Sequence, residues 1–313
     1  MVLDGRRSVL SFGSRRHTIG RFMQVLSMIA TRTARIRMPM RWSSPLQAVL
    51  ALLVILGAAP GGLSLAAPPC RFSADLEVTI DALGIERVNI DAAEGDLAVQ
   101  GHADLSQIQV TGRACAKSEA AVQQIQLLSN TEGIDAYIEA KIPSRRGRSS
   151  NATLDLKVAV PSHMALIVRD TTGEVLVRNV AALQLQDGTG GIEVESVSGG
   201  VSITDGTGAT VIRGVGGSLQ LKDGTGEVEI RDVQGSVSVD DGTGAMTVSE
   251  VGGSVDLKDG TGDIEVEGIA GSVAVQDGSG DVSVSRVEGS LALRSGSGRV
   301  RLAEIQGSVA VSK

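Results

Sequence analysis

A four-residue motif that returns at a constant interval constrains this chain more than any other feature. Asp187-Gly188-Thr189-Gly190 recurs from Asp205, Asp223, Asp241 and Asp259, changes to Asp277-Gly278-Ser279-Gly280, and ends as Ser295-Gly296-Ser297-Gly298. The interval is eighteen residues in every case. Self-similarity at a fixed period is typical of solenoids, in which each repeat forms one coil and stacks on the next. The sequence therefore predicts a linear array over residues 187–312.

Each repeat contains two pairs of apolar residues, counted with its Asp as position 1. Positions 6 and 8 form one pair, as in Ile192 and Val194, and positions 15 and 17 form the other, as in Val201 and Ile203. Apolar residues two apart indicate a strand with one inward face, and Val and Ile without Pro suit strands. Position 11 is also Val or Ile in every copy. The pattern predicts an all-β, parallel β-solenoid whose coil is one eighteen-residue repeat, made of two nine-residue half-turns.

Glycines mark the predicted bends of each coil. They open both strands of the repeat, at Gly190 and Gly199 and at the equivalent positions of later copies. A bend that repeats in register requires a backbone with positive φ or without Cβ, which Gly supplies at no steric cost. Because parallel crossovers favour right-handed connections, we expect the coil to be right-handed.

Three other structures share part of this pattern and are disfavoured by its details. A left-handed hexapeptide helix needs small or aliphatic residues at position 5, which includes Glu227, Asp263 and Arg299. A calcium β-roll needs Asp at position 6, where this chain has Ile, Val, Thr or Met. A phosphate-binding glycine loop needs one loop between a strand and a helix, whereas the copies here alternate with strands.

The chain before the array divides into a leader and a β-rich segment. An apolar run at residues 46–59, followed by small residues, predicts a signal peptide at about 38–66 within a leader of residues 1–69, with an uncleaved anchor as the alternative. Residues 70–168 already contain the nine-residue spacing, and their segments 134–142 and 152–160 alternate. We interpret these two segments as antiparallel strands of a small N-terminal cap, with a short helix beginning at a Ser118 cap. Residues 169–313 then form the regular solenoid.

Removal of the leader changes the charge of the chain. The whole sequence has 29 Lys and Arg against 36 Asp and Glu, and the leader holds nine Arg and one Asp, so the remainder carries a net charge near −15. This argues against nucleic acid as a partner, and no transmembrane span remains after cleavage. We expect export to the periplasm or surface of a bacterium. An oxidising compartment favours a Cys70–Cys115 disulfide, with two free buried thiols as the alternative.

Two features depart from the rules of the repeat. Residues one repeat apart become neighbours in a stack, and position 1 forms one acidic column: Asp187, Asp205, Asp223, Asp241, Asp259 and Asp277. We interpret each Asp as an outward cap of its own bend that accepts backbone N–H bonds. The alternative is that calcium or another divalent cation bridges successive carboxylates. The second feature is the basic loop 144–150, whose Arg145, Arg146 and Arg148 are candidate interaction residues.

Short motifs along the chain resemble those of a known family. They are Gly95-Asp96-Leu97-Ala98-Val99, the Val160-Pro161 step, Gly173-Glu174-Val175-Leu176-Val177 and the recurring Gly-x-Val-x-Val units. On these motifs the segment from about Phe72 to Lys313 resembles the bacterial adhesin-like family DUF4097, whose function is unassigned. The resemblance implies a right-handed β-solenoid in the bacterial envelope, and it carries no binding residues over to this chain.

The sequence contains no metal-spaced set of His or Cys and no nucleophile motif with a base. We therefore expect no enzyme and no cofactor, but a non-catalytic, exported cell-envelope protein that is adhesin-like or a scaffold. Its partner would be a protein or an envelope component. The alternatives are a calcium-stabilised surface-binding repeat protein and a polysaccharide-acting solenoid enzyme. The open edge of the C-terminal coil at Lys313 is a candidate surface for self-association, with a frayed last coil as the alternative.

Overall fold

Two twelve-stranded sheets enclose a single core of aliphatic side chains in a computed structural model of the chain. The structure describes residues 70–143 and 152–313. The N-terminal elements are β1 (Phe72–Asp81), β2 (Arg87–Glu94), β3 (Leu97–His102), β4 (Gln107–Ala116), α1 (Glu119–Val122), β5 (Gln126–Glu132), β6 (Asp135–Lys141), β7 (Thr153–Pro161), β8 (Ala165–Thr172) and β9 (Val175–Val180). The elements of the regular array are β10 (Ala182–Gln186), β11 (Ile192–Val197), β12 (Val201–Thr204), β13 (Thr210–Val215), β14 (Leu219–Thr225), β15 (Val228–Val233), β16 (Val237–Thr243), β17 (Met246–Val251), β18 (Val255–Thr261), β19 (Ile264–Ile269), β20 (Val273–Ser279), β21 (Val282–Val287), β22 (Leu291–Ser297), β23 (Val300–Ile305) and β24 (Val309–Ser312).

Each coil of the array contributes one strand to each sheet. The first sheet has the order β1-β4-β7-β3-β9-β11-β13-β15-β17-β19-β21-β23, and the second sheet has the order β24-β22-β20-β18-β16-β14-β12-β10-β8-β2-β6-β5. Successive strands pair in parallel with a shift of one repeat, so that Leu219 lies beside Val237 and Asp223 beside Asp241. The structure therefore confirms the predicted parallel β-solenoid.

The core consists of the predicted apolar positions. In one coil Val228, Ile230 and Val233 face inward from the first sheet, and Val237 and Val239 face inward from the second, each at most 1% exposed. A strand buried on one face removes every second side chain from water, which explains the two-residue spacing of the apolar pairs. No single coil can bury its own residues, so the stability of the array depends on contacts between adjacent coils.

Position 10 of the repeat adopts a backbone conformation that the sequence did not reveal. The residues of this column have φ between 53° and 71°: Ser196, Gly214, Asp232, Glu250, Gly268, Arg286 and Glu304. The pairing of β15 with β17 passes from Arg231 opposite Ser249 to Val233 opposite Val251 and omits this position. The extra residue is what allows positions 8 and 11 both to face the core, because side chains in an unbroken strand alternate.

The N-terminal end has a topology that differs from the predicted one. Strands β6 and β7 were expected to form an antiparallel pair, and this prediction was wrong. Strand β6 pairs in parallel with β2 in the second sheet, and β7 pairs in parallel with β3 in the first, so together they form another coil. Alternating residues show which face of a strand is buried but not which strand lies next to it.

The cap is built from other elements. Strand β4 pairs antiparallel with β7 and with β1 in the first sheet, and β5 pairs antiparallel with β6 in the second. The short helix α1 follows β4, and the side chain of Ser118 accepts a hydrogen bond from the Ala121 N–H at its start, as predicted. The antiparallel strands end the parallel stack on this side.

The two cysteines form the predicted disulfide. Cys70 and Cys115 are bonded, with their Cα atoms 5.5 Å apart, and the bond joins the start of β1 to the end of β4. In the ranges 70–143 and 152–313, no helix is long and apolar enough to cross a membrane. The predicted signal peptide at 38–66 lies outside the described residues.

Candidate functional site

The acidic column of the repeat lies inside the solenoid and not on its surface. Each position 1 side chain is between 4% and 7% exposed: Asp187, Asp205, Asp223, Asp241, Asp259 and Asp277. The expectation that these carboxylates point outward was wrong. Position 1 comes two residues after the buried position 17, as Asp223 follows Leu221, so strand alternation places it on the inward face.

The column is continuous from coil to coil. Asp223 pairs with Asp241, Asp241 with Asp259, and Asp259 with Asp277, so neighbouring side chains are one strand spacing, about 4.8 Å, apart. The column ends at the fully buried Ser295, which pairs with Asp277.

Asp170 extends the column toward the N-terminus and was missed in the sequence. It is 8% exposed and interacts with Asp187, although it precedes that residue by one position less than a full repeat. The segment Asp170-Thr171-Thr172-Gly173 contains the motif in a weaker form, with Thr in place of the first Gly. We call Asp170 and the six position 1 aspartates the aspartate ladder.

One carboxylate oxygen of several ladder residues caps the following bend. The N–H of Gly188 donates to Asp187 Oδ1 at 2.7 Å, and the N–H groups of Thr243 and Thr261 donate to Asp241 Oδ1 and Asp259 Oδ1 at 3.3 and 3.2 Å. The bonds from Thr243 and Thr261, each two residues after its Asp, are the ones expected of an Asp-Gly turn.

The remaining ladder oxygens are buried without a partner. Both oxygens of Asp170, Asp205 and Asp223 are in this state, and one oxygen each of Asp187, Asp241, Asp259 and Asp277. A buried polar atom without a hydrogen bond is costly, so these oxygens identify the ladder as the least satisfied part of the described core.

Burial of the ladder shifts its acid–base behaviour. Loss of hydration first, and the charge of neighbouring ladder carboxylates second, raise the pKa of Asp223 and of Asp259 to about 6, against the opposing effect of nearby backbone N–H groups. Burial, followed by the charge of Asp187, raises the pKa of Asp170 to about 7. Burial also raises the pKa values of Asp205, Asp241 and Asp277. These carboxyl groups are therefore far easier to protonate than exposed ones.

Basic side chains near the ladder do not pair with it. Lys222, Lys258 and Arg294, which follow position 17 on the outward face, are all exposed. None of the ion pairs found among residues 70–143 and 152–313 includes a ladder carboxylate. The ladder is thus acidic without a bonded counter-charge.

Two further sequence predictions concern the arginines of the basic loop and the binding of metal ions. Arg145, Arg146 and Arg148 lie outside the described residues. Within the described part of the chain, no group of three or more His, Cys, Asp or Glu side chains is arranged to hold a metal ion. Calcium bridging between successive ladder carboxylates stays a prediction.

The outer faces of the array carry lines of polar residues. On the bend beside the ladder, Thr189, Thr207 and Thr225 are exposed and stacked in register. On the first sheet, arginines and glutamates of neighbouring coils form ion pairs, such as Arg178 with Glu193 at 2.8 Å. Exposed ion pairs of this kind contribute little to stability, so they act mainly to keep this face hydrophilic.

Comparisons with known proteins return structural neighbours only. No protein-family model matches the sequence, and a search of curated proteins returns no match. A "putative cell adhesion protein" from Clostridium sporogenes is 11% identical, with a TM-score of 0.35, over 66% of this chain and 100% of its own. A "putative adhesin" from Bacteroides fragilis is 12% identical, with a TM-score of 0.31, over 76% of this chain and 95% of its own. A "putative lipid binding protein" from Parabacteroides distasonis is 12% identical, with a TM-score of 0.40, over 77% and 97%. Likenesses at these values carry no argument about function.

Proposed function

We propose that this chain is a non-catalytic, exported protein of the bacterial cell envelope, in which the solenoid is a stiff scaffold that presents an adhesive surface. The observation that carries the proposal is the in-register stack. Each outward position returns one repeat later in register with its copies, and at some positions this gives a line of identical side chains along the array, as with Thr225, Thr243 and Thr261. Repeated weak contacts along such a line add up when they engage one partner surface together.

Two further features support an envelope location. The Cys70–Cys115 disulfide suits an oxidising compartment, since disulfides are rare in the reducing cytosol. The motifs Gly95–Val99 and Gly173–Val177 resemble those of the adhesin-like DUF4097 family, and we propose membership of that family on this basis. A signal peptide at 38–66 would deliver the chain to that compartment.

The proposed contact surface for a protein or envelope partner is the basic loop with Arg145, Arg146 and Arg148. Without the leader the chain is strongly acidic, so a cluster of three arginines is a local exception to its charge. Arg side chains bind carboxylates and phosphates through two parallel hydrogen bonds, which suits the anionic groups of envelope polymers and proteins.

Capture of partners from an envelope extract tests this proposal. The wild-type protein is compared with a variant in which Arg145, Arg146 and Arg148 are changed to Gln. A matched control changes Arg213, Arg231 and Arg286 to Gln, which removes the same charge from described, partly exposed positions on the first sheet.

We expect the loop variant to lose the captured partners and the control variant to keep them. Equal partner sets for all three proteins would reject the loop as the contact surface. Recovery of the wild-type protein in the cytosolic fraction, with the cysteines reduced, would reject the envelope location itself.

A further inference from the structure

We infer that the aspartate ladder is a shared-proton device, in which neighbouring buried carboxyl groups hold protons between them and the solenoid is most stable in mildly acidic surroundings. This inference concerns the interior of the array and is independent of the adhesive function proposed above. It rests on four observations: the spacing of the ladder, the absence of a bonded counter-charge, the unpartnered oxygens and the residue that ends the ladder.

The spacing makes a fully ionised ladder unfavourable. Asp223, Asp241, Asp259 and Asp277 lie in one register, one strand spacing of about 4.8 Å apart. Their side chains are no more than 7% exposed, so water screens them poorly. Like charges at this separation in a poorly hydrated site repel strongly. Each aspartate inside the ladder has such a neighbour on both sides.

The groups around the ladder supply no bonded positive charge. Across the core, the strands of the first sheet present aliphatic side chains and the fully buried hydroxyl of Thr210, which lies beside Asp205. The other charged groups that act on ladder residues are acidic: Asp96 on Asp170, Asp240 on Asp241, and Asp263 on Asp277. At the outer end of the array, Lys258, Arg294 and Lys313 line the same cleft as Asp259 and Asp277, without an ion pair to either.

The unpartnered oxygens show that the ladder lacks hydrogen-bond donors. Asp205 and Asp223 are buried and leave both carboxylate oxygens without a hydrogen-bond partner. A proton on one carboxyl group converts one of its oxygens into a hydrogen-bond donor. That O–H group can donate to a carboxylate oxygen of the next aspartate in the ladder. One proton therefore satisfies two buried oxygens and removes one of two adjacent charges.

At Ser295, where the acidic column ends, a hydroxyl group already makes a hydrogen bond of this kind to the neighbouring carboxylate. Ser295 occupies position 1, is fully buried, and its hydroxyl donates to Asp277 Oδ2 at 3.1 Å. A neutral O–H group that donates to the neighbouring carboxylate thus fits the geometry of the ladder. Calcium, by contrast, takes about six to eight oxygen ligands, and among the described residues no group of three or more His, Cys, Asp or Glu side chains is arranged to hold a metal ion.

The direction of the pH effect follows from the raised pKa values. Burial raises the pKa of Asp223 and Asp259 to about 6 and that of Asp170 to about 7, so the folded chain keeps protons that the unfolded chain releases near its ordinary value of 3.8. The stabilisation is complete below the unfolded pKa and is lost as the pH rises through about 6 to 7. Asp135 and Asp281, which are half-buried, act in the opposite sense, because hydrogen bonds from Arg87 and Arg299 lower their pKa values.

Thermal unfolding between pH 4.5 and 8.5, in the presence of a chelator, tests the inference on the full, disulfide-bonded protein. We expect Tm to fall by about 5 °C or more between pH 5 and pH 7.5. In the double variant Asp223→Asn and Asp259→Asn, the side chains keep their size and carry no charge, and the amide oxygen at 259 can still accept the Thr261 N–H bond. This variant should have a flatter pH profile and a higher Tm than the wild type at pH 8. Asp256→Asn, a change at an exposed position of β18, should keep the wild-type profile.

Three results of the unfolding experiment would overturn the inference. The first is a wild-type Tm that does not fall over this range, and the second is an unchanged slope in the Asn double variant. The third is a rise in Tm when calcium is added to the wild type at pH 8 but not to the double variant, since the ladder would then hold cations. Infrared spectroscopy of the wild type needs no variant: a band from protonated carboxyl groups at pH 6 is expected, and its absence rejects the shared protons.

Discussion

Gly226 shows what governs the choice of residue at position 4 of the repeat. A Cβ atom built on Gly226 would overlap the carbonyl oxygen of Gly208, the equivalent residue one coil earlier. The same overlap recurs along the column at Gly208, Gly244 and Gly262. Close approach of stacked backbones, and not only turn conformation, therefore selects Gly at this bend.

Replacement of Gly226 by Ala should destabilise the protein. The added methyl group meets backbone and not a flexible side chain, so the coils must separate locally, and we expect a loss of about 3 kcal/mol or more. The matched control is Gly200→Ala, because a Cβ there meets only the Ser218 oxygen, at 3.4 Å. Denaturant unfolding compares the two variants, and equal stability would contradict the stacking argument.

A second residue-scale effect concerns the left-handed conformation at position 10. Glu250 has φ of 57°, whereas the equivalent position holds Gly214 and Gly268 in two other coils. A residue with a Cβ is strained in this region by about 1–2 kcal/mol, and Gly is not. Part of that gain is offset because Gly is more flexible in the unfolded chain.

The variant Glu250→Gly should therefore raise the stability by about 0.5–1 kcal/mol. Glu250→Ala keeps the strain and should give no gain, so it serves as the control. Thermal or denaturant unfolding measures both. A Gly variant that is less stable than the Ala variant would show that the left-handed strain at this position is not what limits stability.

For single residues, the sequence pattern predicted correctly which apolar side chains are buried. It led to the wrong expectation that the aspartates lie on the surface. The two-residue spacing of Leu219 and Leu221 identified the inward face, and continued by two residues it would have placed Asp223 there as well. The Asp-Gly motif indicates a turn capped by Asp, but it is the same whether the Asp side chain faces water or the core. The motif therefore did not indicate that these side chains are buried. The missing hydrogen bonds of the ladder depend on the positions of neighbouring coils, which spacing alone does not give.

At the scale of elements, the regular strands were predictable and the N-terminal pairing was not. From β10 onward each strand pairs with its own copy in the next repeat, so one repeat determines the neighbours of the following one. Strands β6 and β7 have no copies, and their alternation is compatible with a hairpin or with a coil. Only the three-dimensional arrangement shows that they pair with β2 and β3.

The disulfide should stabilise the cap more than the array. Cys70 and Cys115 join β1, an edge strand of the first sheet, to β4. We expect the double variant Cys70→Ser and Cys115→Ser to lose about 2–4 kcal/mol. Amide hydrogen exchange should become faster in β1 and β4 and stay unchanged in β14–β18. Equal acceleration in both regions would show that the cap and the array unfold as one unit.

Over the whole molecule, the coils stack in register, with each strand of the array beside its copy in the next repeat. The outward column of the second sheet includes Ser202, Gln220, Ala292 and Ala310, and all four side chains are exposed. Gln220 and Ala292 are four coils apart, and Ser202 and Ala310 are six coils apart. A regular stack advances by about 4.8 Å per coil, so separations along this column should be proportional to the number of coils.

Pulsed electron spin resonance on nitroxide pairs measures these separations directly. Labels are attached to cysteines introduced at 220 and 292 in one protein and at 202 and 310 in another, with Cys70 and Cys115 left oxidised. The stacked solenoid predicts distances of about 19 Å and about 29 Å. Distances that do not increase by about 4.8 Å for each added repeat would contradict the in-register stack.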